Sequence, residues 1–131
     1  MKFVIQPSSQ EGCGIATLAM LANKSFSEME KEMKLKELVL RNNFVTVNQM
    51  ALGLKDLMKV DYIQLRRLST WDPKKNYICF CREPEGSEYP YRHWMLYING
   101  HYYDPLNKKK MPTRETKHRT TTMLEIPSLL G

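Results

Sequence analysis

Apolar residues crowd one stretch near the start of the chain. Residues 13–23 read Cys-Gly-Ile-Ala-Thr-Leu-Ala-Met-Leu-Ala-Asn, with apolar positions on nearly every side of a helix. That pattern predicts a helix buried in the middle of the domain, stopped near Asn23. Next, Ser27 and Glu30 have the spacing of a capping box, opening a charged, outward-facing helix through Met29 and Met33 towards Leu40. Thr46 and Gln49 have the same spacing before a third helix, which carries Met50, Leu54, Leu57 and Met58 on one side. Beyond these the pattern turns to strands. Residues 62–68, 77–81, 91–98 and 101–104 are the candidates, with a last edge strand at 123–126. Helices first and an antiparallel sheet afterwards predict an α+β fold, here as a single domain over residues 1–131.

One turn makes a geometric prediction. Asn99-Gly100 separates Tyr-Arg-His-Trp-Met-Leu-Tyr-Ile from His-Tyr-Tyr-Asp. A type I′ turn needs positive φ at both central residues, which this pair tolerates best. A two-residue loop sets Ile98 opposite His101, Tyr97 opposite Tyr102, Leu96 opposite Tyr103 and Met95 opposite Asp104. Opposed residues share a side of the sheet and the side alternates along each strand. His93, Met95, Tyr97, Tyr102 and Asp104 therefore share one face. Trp94, Leu96, Ile98, His101 and Tyr103 share the other. His93 and Asp104 become diagonal neighbours with Cβ atoms roughly 7 Å apart or less, a gap that a carboxylate and an imidazole can bridge. His101 points away from both.

Composition narrows the class. Of 131 residues, 42% are hydrophobic and 26% charged, which is a folded mixture able to bury a core without disulfides or metals. The formal charge is +6, and much of the excess is local: Lys108, Lys109, Lys110, Arg114, Lys117 and Arg119. Such a run is a solvated loop first, and a surface for an acidic partner second. The apolar run at residues 3–5 is too short for a signal peptide and no stretch reaches membrane-spanning length. A cytoplasmic protein without a membrane partner is expected. Nucleic acid is not the expected partner either.

Three cysteines, Cys13, Cys79 and Cys81, are too few and odd in number for a disulfide framework. Cys79 and Cys81 would lie on one strand face about 6.6 Å apart, a poor fit to one tetrahedral zinc ion. No Cys-x-x-Cys, phosphate loop or dinucleotide fingerprint is present. Neither a metal nor a cofactor is expected.

Cys13 stands apart from the other two. It lies between Gly12 and Gly14 at a predicted helix start, where free N–H groups and the helix dipole favour a thiolate. Its own N–H is positioned to hold an oxyanion. Gln6, ending the extended lead-in before Pro7, is the preferred second donor, and Gln10 on the loop is the alternative. His93 is the candidate base, with Asp104 on its second nitrogen.

Residues 6–22, with Cys13-Gly14, Ala16 and Leu18-Ala19-Met20-Leu21, resemble the start of papain-like cysteine peptidases. The bacteriocin-processing, double-glycine leader peptidases are the nearest likeness. His93-Trp94 before an apolar strand, and Tyr102-Tyr103-Asp104-Pro105, resemble the His and Asp-Pro motifs of that family. The resemblance implies a papain-like fold with the nucleophile helix packed on the sheet. It also implies Cys13 as nucleophile, His93 as base, Asp104 as orienter and Gln6 as oxyanion donor. A peptide or protein substrate follows, cut at an amide bond. The same machinery could instead deamidate or cross-link a glutamine side chain, as in an effector or toxin. A non-enzymatic module that grips protein or nucleic acid through residues 108–119 is the alternative outside enzymology.

Overall fold

The computed structural model describes residues 1–8, 11–82 and 92–127. Three helices come first: α1 (Cys13–Ala22), α2 (Phe26–Leu35) and α3 (Val47–Met58). Five strands follow: β1 (Leu65–Arg67), β2 (Tyr77–Arg82), β3 (Arg92–Ile98), β4 (His101–Tyr103) and β5 (Arg119–Glu125). The strands form one antiparallel sheet in the order β1-β5-β2-β3-β4. The α+β expectation holds at this level.

Helix α1 buries every residue from Gly14 to Met20, as its all-round apolar pattern requires. Helix α2 starts two residues earlier than the sequence suggested. Ser25 and Glu28 form its capping box, not Ser27 and Glu30. Both pairs have Ser-x-x-Glu spacing, and the earlier one brings Phe26 into the first turn, where its ring abuts Gly12. The helix also stops at Leu35, short of Leu40. Glu37 there adopts φ 57°, and Leu38 N–H donates to the Met33 carbonyl at 2.8 Å. That is a Schellman turn, which ends a helix by satisfying its last carbonyls. Asn23 and Lys59 close α1 and α3 with the same left-handed backbone. The Thr46–Gln49 box caps α3 as expected.

The Asn99-Gly100 turn has φ 50° and 79°, and the predicted pairs Leu96–Tyr103, Tyr97–Tyr102 and Ile98–His101 are the observed ones. Strand β5 needs correction. It begins at Arg119 rather than residue 123, and it is an inner strand between β1 and β2. Its first half is a polar run, Arg-Thr-Thr-Thr, and its register slips by one where Phe80 meets Thr122 but Cys81 meets Thr120. A bulge of this kind breaks the alternation that would have revealed the strand.

Both faces of the sheet are covered. Ile78, Phe80, Trp94, Leu96 and Leu124 pack towards the helices. Tyr77, Cys79, Cys81, Met95, Tyr97 and Met123 pack on the far side with Trp71 and Tyr102. The indole N–H of Trp94 donates to the Val45 carbonyl at 2.8 Å. Gly14 lets α1 approach this point: a Cβ there would lie 2.7 Å from the Val45 side chain and 3.1 Å from the Trp94 ring. Close helix–strand contact at Gly14 sets the head of α1 beside β3.

Candidate active site

Three segments distant in sequence converge beside β3. The first is the head of α1. Gly12 takes φ 91°, a left-handed conformation that leads into Cys13 without a side-chain cap. The loop before it is anchored by Gln6, whose backbone N–H donates to the Pro105 carbonyl at 3.0 Å. The turn carrying Asp104 is thus tied to the loop carrying Cys13.

The second segment is β3 itself. His93 is 1% exposed and lies on the face away from the helices, directly across from Cys81. Its Nε2 is 2.7 Å from Oδ1 of Asp104, as the hairpin register predicted for this pair. The carboxylate also starts a tight turn, since Oδ1 accepts from the Leu106 N–H at 2.9 Å. His101 lies on the opposite face, its Nδ1 3.1 Å from the Asn99 carbonyl.

The third segment was not foreseen. His118 is the one buried residue within 108–119, at 8% exposure, while the six basic residues of that stretch are exposed. Its Nε2 is 2.7 Å from Oδ2 of Asp104. The two imidazole rings lie 4.4 Å apart, centroid to centroid, at 38°. Paired hydrogen bonds between Tyr102 and Thr113, at 2.7 and 2.9 Å, hold the basic segment against β4 and return it to the site. Only the true start of β5 would have revealed His118. With Thr120 opposite Cys81, and Cys81 opposite His93, residue 118 falls next in line on that face.

Electrostatics follow from these contacts. Burial opposes ionisation of Asp104, but hydrogen bonds from His118 and His93 outweigh it and hold the carboxyl well below the usual range. An ionised carboxylate only accepts, so both Nε2 atoms donate to it. Nδ1 is then the remaining lone-pair nitrogen of His93, and it makes no hydrogen bond to any described residue. The Cys13 thiol is raised from 9.0 to about 11 on balance, with burial the largest cause. Backbone N–H groups of Trp94, Gly14 and Cys13 itself pull it down, and the Asp104 charge pushes it up again. The resting thiol is protonated at neutral pH.

Not all the predicted residues meet. His93 and Asp104 are joined, while no hydrogen bond links Cys13 to His93. The Gln6 side chain directs both amide hydrogens at loop carbonyls, Ser8 at 2.6 Å and Glu11 at 3.3 Å. Its Oε1 is buried without a partner among the described residues. Gln10 lies outside the described residues, as do residues 83–91. Cys13, Cys79 and Cys81 form no disulfide with one another. No described helix is long and apolar enough to cross a membrane. No protein-family model, curated protein or solved structure matches the chain.

Proposed function

We propose that the protein is a thiol-dependent amide hydrolase of papain-like design, with Cys13 as nucleophile and His93, oriented by Asp104, as its base. The observation that carries this reading is the His93–Asp104 hydrogen bond of 2.7 Å, together with the backbone N–H of the next residue, Trp94, that meets the Cys13 thiol at the head of α1. Orienting a base through its second nitrogen is what a nucleophilic triad requires. The bond to Nε2 leaves Nδ1 to take the thiol proton. As the sulfur attacks an amide carbonyl, that proton passes to His93 and then to the leaving amine. Water afterwards cleaves the thioester, with His93 again as base. The N–H groups at the head of α1 are the available oxyanion donors. Gln6 joins them only if its amide leaves the Ser8 and Glu11 carbonyls. The resemblance of the Cys-Gly and His-Trp motifs to leader peptidases favours a peptide substrate over a glutamine side chain. Three cysteines without a disulfide among them suit a reducing, cytoplasmic setting.

Alkylation of Cys13 by iodoacetamide, read by peptide mapping across pH, tests the coupling. In the wild type, labelling at neutral pH that depends on His93 is expected. His93→Ala should slow labelling at neutral pH by about a hundredfold. Its profile should then follow one ionisation near 11. Superimposable profiles for the two proteins would overturn the reading.

A non-enzymatic binding module is the second reading. The raised thiol and the outward-facing basic residues of 108–119 favour it. Under it, Cys13→Ala leaves the biological effect intact, and binding weakens with salt.

A further inference from the structure

We infer that His93, Asp104 and His118 form a binding site for a borderline divalent metal ion of the zinc class, and that filling it withdraws His93 from Cys13. The first half stands on geometry alone. The second half rests on the hydrolase reading.

Two imidazole nitrogens and one carboxylate oxygen lie within 4.8 Å of one another. Each Nε2 is 2.7 Å from a different oxygen of Asp104, so with either oxygen as ligand one of the three separations is 2.7 Å and the other two lie within 4.8 Å. Both rings are buried, and the carboxylate side chain between them keeps 17% exposure. Two histidines and a carboxylate are the donor set of open, three-ligand zinc sites, with water in the fourth position. Tetrahedral zinc with bonds of about 2.0–2.1 Å holds its ligand atoms roughly 3.3 Å apart. The hydrogen-bonded pair would part by about half an ångström, and the two other separations, which lie within 4.8 Å, would close towards the same value by side-chain rotation.

His118 has no part in the thiol chemistry proposed above. It nevertheless enters the sheet from a segment that is otherwise solvated, and aims its Nε2 at the carboxylate that His93 uses. A single orienting carboxylate needs only one imidazole. A second imidazole on its other oxygen brings a third ligand atom within 4.8 Å of the other two, within reach of a shared ion.

The chemistry balances without a co-reactant. Each imidazole now donates its Nε2 hydrogen to the ionised Asp104. On binding, the proton of each ring moves through solvent to Nδ1, and the two Nε2 lone pairs and one carboxylate oxygen bond the ion. The assembled site carries net charge +1, and neutral rings release no proton. His93 then holds a hydrogen on Nδ1, so this nitrogen donates and can no longer accept the Cys13 proton. Metal binding and thiol activation compete for one tautomer of one ring.

Calorimetric titration of metal-free protein with Zn²⁺ alone tests the site. One ion per chain is expected, with His118→Gln weakening affinity about a hundredfold or more and Cys13→Ala changing it by no more than about twofold. The glutamine amide can still donate an N–H to Asp104, so this variant spares the hydrogen bond that holds the fold. A measurement on the unmutated protein adds to it: bound Co²⁺ should show a visible spectrum of nitrogen and oxygen ligation without a sulfur charge-transfer band. No Zn²⁺ binding overturns the site. So does binding that survives His118→Gln, or that is lost with Cys13→Ala, since either moves the ion elsewhere. For the second half, saturating Zn²⁺ should slow iodoacetamide labelling of wild-type Cys13 about tenfold, and the same Zn²⁺ concentration should leave the rate of His118→Gln at its own metal-free value. Unchanged wild-type labelling with the histidine site filled overturns the competition. Labelling that is independent of His93 without metal overturns the hydrolase reading and leaves the metal site standing.

Discussion

On the helix side of the sheet, Trp94 and Leu96 press against Ile78, Phe80 and Leu124 beneath α1. One residue along the same strand, on the far side, His93 meets Asp104 and His118 under a basic loop. Alternation along β3 thus gives one strand two jobs. The helix side is held by close packing that has no dependence on pH. The far side is held in part by a carboxylate whose charge depends on both imidazoles. The stabilising forces differ, so the two sides should fail under different conditions.

Removing the largest side chain on the helix side should cost most. Trp94→Ala leaves a cavity beside Gly14 and strands the Val45 carbonyl, for a loss of about 3–5 kcal/mol in denaturant unfolding. That loss should be the same at mildly acidic and neutral pH. On the far side, Asp104→Asn should cost about 2 kcal/mol at neutral pH, because two buried N–H donors lose a charged acceptor. Its signature is the pH dependence. The carboxyl of Asp104 is lowered from 3.8 by folding, so its contribution is complete above that value and is lost as pH falls through the lower folded one. Unfolding measured down this acid window should show the wild type losing an increment that Asp104→Asn lacks. Equal acid sensitivity of the two would erase the contrast between the faces. The smallest effect belongs to neither face. Lys59 closes α3 at φ 56°, and Lys59→Gly should raise stability by about 0.5–1 kcal/mol, seen as a higher melting temperature.

Local chemistry was the legible part of the sequence. The Asn99-Gly100 turn fixed a register, and the register put His93 with Asp104 and apart from His101. The Thr46–Gln49 box and the all-round apolar character of α1 were equally local. Where two local signals overlapped, as in Ser25-Phe-Ser-Glu28 and Ser27-Glu-Met-Glu30, packing of Phe26 chose between them. Strand β5 was half hidden because its first residues are polar and a bulge shifts its parity. His118 was hidden for the same reason, since its position is meaningful only once β5 begins at Arg119. The direction of the Gln6 amide, which turns on two loop carbonyls, has no sequence signature at all.

The bond between Gln6 and Pro105 has a consequence for how the protein is made. Translation delivers α1 long before β3, the strand on which it is buried. Until Pro105 has left the ribosome, the Cys13 loop lacks its anchor, and α1 exposes apolar surface on almost every side. The nascent chain is therefore sticky early and ordered late, and its folding waits on contacts of long sequence separation. Chaperone occupancy on the ribosome should persist through synthesis of α2 and α3, and fall when the β3–β4 hairpin emerges.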